Sequence, residues 1–120
     1  MSAIQEEFSH SLALLILKAK DLGIGVTLGE AFRTPQQAQW DAANHTGVAN
    51  SLHSQRLAQD LMLFLDGEYQ PDDTHGAYST LGTWWKALTS PIPGATYAWG
   101  GDFKSVDLDH FSLSPDGIHE

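Results

Sequence analysis

The 120-residue chain contains no cysteine, which excludes a disulfide framework and any thiolate metal site. A metal, if bound, must be held by His, Asp and Glu. Basic residues are scarce: six Lys and Arg stand against fifteen Asp and Glu, a formal charge of -9. Phosphate-backbone recognition needs clustered Lys and Arg, and here they are scattered, so nucleic acid is not an expected partner. Long hydrophobic runs are also missing. The apolar stretch Leu12 to Leu17 falls far short of the ~20 residues that span a bilayer, so no integral membrane segment is expected. The opening Met1-Ser-Ala-Ile-Gln-Glu-Glu7 lacks the basic n-region of a signal peptide.

What remains reads as one globular domain over residues 1–120, expected to be a monomer. Ile4, Phe8, Leu12, Leu15, Ile16, Ala19 and Leu22 recur at spacings of three and four, predicting an amphipathic helix over 4–22 that Gly23 and Gly25 stop. Val26 to Phe32 reads as a strand. Thr34-Pro35-Gln36-Gln37 has a cap, a first-turn proline and a capping-box partner, predicting a second helix that ends before Asn44. Leu57 to Leu65 is almost continuously apolar and is closed by Asp66-Gly67, which predicts a buried strand and a turn. Ala77, Tyr78, Leu81, Trp84, Trp85 and Leu88 predict a third helix over 76–89, ended by Pro91 and Pro93. Asp107 to Leu113 reads as a last strand. Helices and strands mixed without a βαβ rhythm give an α+β class, a small antiparallel sheet with about three helices packed on it.

One stretch stands apart from this pattern. Ser51-Leu-His53-Ser-Gln-Arg56-Leu-Ala58-Gln-Asp60, answered by Asp107-Leu-Asp-His110-Phe111, supplies two imidazoles and a carboxylate, with a further carboxylate near the last histidine. On one helix His53 and Asp60 would lie ~10 Å apart along the axis, too far to share an ion. On one straight strand their odd separation sends them to opposite faces. They converge only if the chain bends between them, and the polar Ser54-Gln55-Arg56 is the place for that bend. Asp107 and His110 likewise converge only if the strand is irregular there or begins at about Asp109. Asp60, set in an apolar strand, needs a compensating partner because a buried unpaired carboxylate costs several kcal/mol. A metal ion or a nearby guanidinium, Arg56 or Arg33, can each fill that need. His10, His45, His75 and His119 read as surface residues. The acidic run Asp66–Asp73 lacks EF-hand spacing and reads as a solvated loop. Trp84, Trp85 and Trp99 read as core aromatics, and Gly100-Gly101 as a tight backbone turn.

Taken together, Ser51-x-His53-x-x-x-x-Ala58-x-Asp60 and Asp107-x-x-His110-Phe111 resemble the zinc peptidases of the LAS type. That group includes D-alanyl-D-alanine carboxypeptidases, D-Ala-D-Ala dipeptidases and phage L-alanyl-D-glutamate endolysins. Arg56-Leu-Ala58-x-Asp60-Leu61 and Trp99-Gly-Gly-Asp-Phe103 look like the endolysin branch. Carboxypeptidase relatives tend to carry Gly where Arg56 stands and Glu-x-x-His where Asp107-x-x-His110 stands. Glu30-Ala-Phe-Arg33-Thr34-Pro-Gln-Gln37 is similar to the family's strand-to-helix segment, and the resemblance runs from about Phe8 to Leu113.

The resemblance implies a LAS/Hedgehog-like fold with zinc as cofactor. It implies His53, Asp60 and His110 as zinc ligands, Asp107 as the catalytic base, and Arg33 as a group holding the substrate or the developing oxyanion. Ser51 would orient the motif by hydrogen bonding or touch the substrate, while a turn-forming role remains its alternative. The implied partner is the peptidoglycan stem peptide, cut between L-Ala and D-Glu. Made without a signal peptide in the host cytoplasm, such an enzyme reaches the wall after holin-type release. Two rivals remain: a D,D-carboxypeptidase or dipeptidase on the same scaffold, and a non-enzymatic zinc-stabilised module.

Overall fold

The structure, a computed structural model, describes residues 2–29 and 52–117. The first helix, α1 (Ser2–Asp21), buries Ile4, Phe8, Ser11, Leu15 and Ala19 along one stripe, as the apolar spacing predicts. Gly23 adopts φ +78 just beyond the helix, a left-handed position that glycine occupies without a Cβ clash. The chain then enters β1 (Ile24–Leu28). The expected continuation of this strand to Phe32 and the helix from Thr34 lie outside the described residues.

A short 3-10 turn (Leu52–Gln55) precedes β2 (Ala58–Leu65), the central strand. Asp66 and Gly67, at φ 50 and 78, form a turn with both central residues left-handed. This matches the twist of a hairpin and leads into β3 (Glu68–Tyr69). The acidic stretch is thus partly hairpin, and its end serves the next helix. Asp72 is held below the usual carboxylate range by the Thr74 side chain first and by the Thr74 amide, which donates to it at 3.0 Å, second. Asp73 accepts from the Ser79 amide in the first turn of α2 (Ala77–Lys86). Two further strands follow, β4 (Thr96–Trp99) and β5 (His110–Ser114). The last strand begins three residues later than the sequence predicts, because residues 107–110 form a turn closed by the His110 amide on the Asp107 carbonyl, 3.1 Å.

Among the described residues all pairings are antiparallel and run in the order β1-β2-β5-β4, with β3 added to β2. The α+β class and small antiparallel sheet therefore hold, with two α-helices among the described residues. Phe111, Leu113, Leu61 and Leu63 are fully buried on the sheet face that the helices cover. Trp85 of α2 is the centre of that core. Its ring meets Phe8, Tyr97 and Phe111 edge-on at centroid distances of 5.8, 4.9 and 6.1 Å. Its indole N–H donates to the Ser112 carbonyl at 3.0 Å, so the one polar atom of the ring is satisfied.

A gap in the pairing explains Tyr78. On one side of β2, β5 is the partner as far as Leu61, whose amide donates to the Asp109 carbonyl. The β3 register takes up only at Phe64. Between them the Tyr78 hydroxyl receives the Leu63 amide at 3.4 Å and donates to the Gln70 carbonyl at 2.7 Å. The Gln70 amide in turn donates to the Leu63 carbonyl. Burial of this hydroxyl pushes the Tyr78 pKa far above the ordinary value of 10.0.

Candidate metal centre

The register pairs Asp60 of β2 with His110 of β5. Directly opposed residues present their side chains on the same face. Their neighbours Leu61 and Phe111 point into the core, so Asp60 and His110 face away from the helices. His53 reaches that face from the 3-10 turn. The Arg56 amide donates to the His53 carbonyl at 3.2 Å, the Leu57 amide to the Leu52 carbonyl at 2.9 Å, and Arg56 itself sits at φ 60. This is the bend that the parity of residues 53 and 60 demands, made by a left-handed residue.

His53, Asp60 and His110 each offer one ligand atom, all within 4.8 Å of one another. His53 Nε2 lies 3.3 Å and His110 Nδ1 3.9 Å from Asp60 Oδ1, and the two imidazole rings meet edge-on with centroids 5.2 Å apart. Two ligands of a tetrahedral zinc, each about 2.1 Å from the ion, stand about 3.4 Å apart. A charge-assisted N–H···O bond is shorter, about 2.7–2.9 Å. The spacing is therefore that of groups converging on a common point. Asp60 Oδ1 is also buried with no hydrogen-bond partner among the described residues, although leaving such an atom unmade costs about 1–3 kcal/mol. Two imidazoles and one carboxylate carry a single negative charge, so a divalent ion held there keeps net positive charge. The donor set suits a divalent cation.

Asp107 opens the turn that His110 closes, and its side chain is exposed. Its amide donates to the Gly100 carbonyl at 2.9 Å. A Cβ at Gly100 would strike the Asp107 carbonyl oxygen and lie 2.8 Å from His110 Cβ, so only glycine lets this close approach occur. Phe103 lies over His110, with ring centroids 5.2 Å apart, and forms an aromatic wall of the site. Sequence reading gave Phe103 no individual role; its only signal was membership of the Trp99–Phe103 motif. Asp109 was also not singled out. It is half-buried, and its carboxyl is raised above the usual range by burial. The like charge of Asp60 adds to that shift, whereas a side-chain hydrogen bond with Tyr78 opposes it.

Of the six expected site residues, the structure brings together His53, Asp60 and His110 and places Asp107 on the same turn as His110. Arg33 and Ser51 lie outside the described residues. His10 and His75 are exposed, as expected. Trp85 and Trp99 are buried, which fits core roles. No protein-family model matches the chain, and no curated protein proves significantly similar to it.

Proposed function

We propose that the protein is a zinc-dependent peptidoglycan endopeptidase that cleaves the L-Ala–D-Glu bond of the stem peptide and so lyses bacterial cell walls. The observation that supports this most is the convergence of His53, Asp60 and His110 around an Asp60 oxygen with no hydrogen-bond partner among the described residues. An exposed carboxylate, Asp107, on the turn that carries one of those ligands adds to it. A structural ion needs no such acid, whereas hydrolysis needs a group to move a proton.

Zinc in such a site supplies a Lewis acid and lowers the pKa of water toward ~7. The chain's own residues do the rest. His53 and His110 bind as neutral imidazoles, and Asp60 supplies the one negative charge. Asp107 accepts the proton of the attacking water and returns it to the leaving amine. Arg33, assigned by resemblance alone, steadies the negative charge that grows on the carbonyl oxygen. Phe103 excludes water from one side of His110.

Digestion of purified peptidoglycan with zinc-loaded protein tests the proposal. New N-terminal D-Glu is the expected product. Release of free D-Ala would instead move the activity to a D,D-carboxypeptidase or dipeptidase. Absence of any cleavage by a protein that binds zinc would reduce the ion to a structural staple.

A further inference from the structure

We propose that Trp99 is a positioning residue, which fixes the turn bearing Asp107 and His110 relative to α2 and thereby sets the geometry of the metal centre. Its catalytic consequence rests on the zinc peptidase reading; its structural part does not. Trp99 is only 8% exposed, and its indole N–H donates to the Leu108 carbonyl at 2.7 Å. Leu108 is the residue after Asp107, so this bond anchors the turn between the proposed base and the proposed ligand.

The ring is held from several sides. Gly82 of α2 and Gly101 lie so close that a Cβ on either would collide with the indole. Lys86, one turn further along α2, places its ammonium 5.6 Å from the ring centroid and bridges to Asp102 at 2.7 Å. The indole is thus clamped between the helix and the loop, and its single donor is aimed at one carbonyl of the site turn. Trp85 offers the contrast. It too donates to a carbonyl, but to Ser112 within the regular strand β5, where the ladder already fixes the backbone. Residues 107–109 precede that ladder. Outside the strand they are held by the Asp107–Gly100 bond, the His110–Asp107 bond, the Leu61–Asp109 bond and the Trp99 indole.

Groups that orient metal ligands from behind typically account for about 10–100-fold in metal affinity or activity. Trp99→Phe keeps an aromatic side chain but deletes the N–H together with the outer indole atoms that pack against Gly101. In this variant of the full chain, amide exchange at Asp107 and His110 is expected to accelerate while the β1–β2 amides keep their protection. Zinc affinity, measured by competition with a chromophoric chelator, should fall on the order of tenfold. kcat on peptidoglycan fragments should fall more than KM rises. A folded Trp99→Phe protein with wild-type exchange at both amides and unchanged zinc affinity would overturn the proposal.

Should that variant not fold, Lys86→Met takes its place. Lys86 is exposed, and its loss releases the ring from above without opening the core. Faster exchange at Asp107 and His110 is again expected, and unchanged exchange again overturns the proposal. A wild-type protein that neither binds zinc nor cleaves peptidoglycan discards the enzymatic reading separately, since exchange needs neither metal nor substrate.

Discussion

Replacing Asp60 with Asn separates the metal from everything else the site does. Asn keeps the shape of the side chain and removes its charge. In the metal-free protein at pH 8, Asp60 is a mostly buried carboxylate with one oxygen that has no hydrogen-bond partner among the described residues. Losing that charge removes a desolvation penalty, so metal-free Asp60→Asn should be at least as stable as the parent. With zinc the order reverses. Two of the three ligand-atom separations, 3.3 and 3.9 Å, lie within about half an ångström of a tetrahedral edge, and all three fall within 4.8 Å. The site is partly preformed, and binding energy appears as stability. At a hundredfold excess over Kd the parent gains about 2.7 kcal/mol, a rise in Tm on the order of 10 °C for a domain of this size. Asp60→Asn should lose most of that rise. Thermal melts of both proteins, with zinc and with a chelator, give the four values needed. The reasoning fails if parent melts coincide with and without zinc, or if Asp60→Asn shows the full shift.

Three further outcomes are expected. Asp107→Ala should abolish hydrolysis yet retain zinc at wild-type affinity, read by product analysis beside chelator competition; surviving activity would remove Asp107 from its role as base. Gly100→Ala forces a Cβ against the Asp107 carbonyl and His110, so it should destabilise by about 1–3 kcal/mol and weaken zinc binding; a denaturant melt matching wild type would contradict the close approach. Between pH 8 and 10 the Tyr78 contribution to stability should be level, and above pH 10 it should fall, because the fold holds the Tyr78 hydroxyl protonated while the unfolded chain ionises near its ordinary value. The limiting slope from Tyr78 is about 1.4 kcal/mol per pH unit. Urea unfolding between pH 8 and 11 would refute it by staying flat, and Tyr78→Phe should remove part of the slope. Tyr97, raised chiefly by burial as well, keeps the remainder.

How far the sequence could be read depends on how local each determinant is. The α1 stripe and the apolar run of β2 are repeated local signals, and both elements form within two residues of expectation. Side-chain parity also carried real information. It required a bend between His53 and Asp60, which the 3-10 turn and left-handed Arg56 supply, and a last strand either irregular near Asp107 or begun at about Asp109; the 107–110 turn and the strand start at His110 fit the second form. Strand β4 was missed because its four residues show no alternation long enough to register, and its partner β5 lies more than ten residues away. Phe103 and Trp99 were invisible as site elements for a related reason. Phe103 meets His110, and Trp99 meets Gly82 and Leu108, only through tertiary folding. Phe103 and His110 stand only seven residues apart and Trp99 and Leu108 nine, but the irregular loop between them has no repeating pattern to announce the contact.

The interruption beside Leu63 bears on how molecules of this protein behave at high concentration. A strand that loses one neighbour before gaining the next exposes a short row of amide and carbonyl groups, which is where a foreign strand can dock. Here the Tyr78 hydroxyl and the Gln70 main chain occupy those groups. A side chain from α2 thus stands in for a missing length of backbone. Loss of that hydroxyl would open a template for intermolecular pairing in the middle of the sheet, at a distance from its outer edges. Light scattering of concentrated Tyr78→Phe protein would register such association even where its melting point had barely moved.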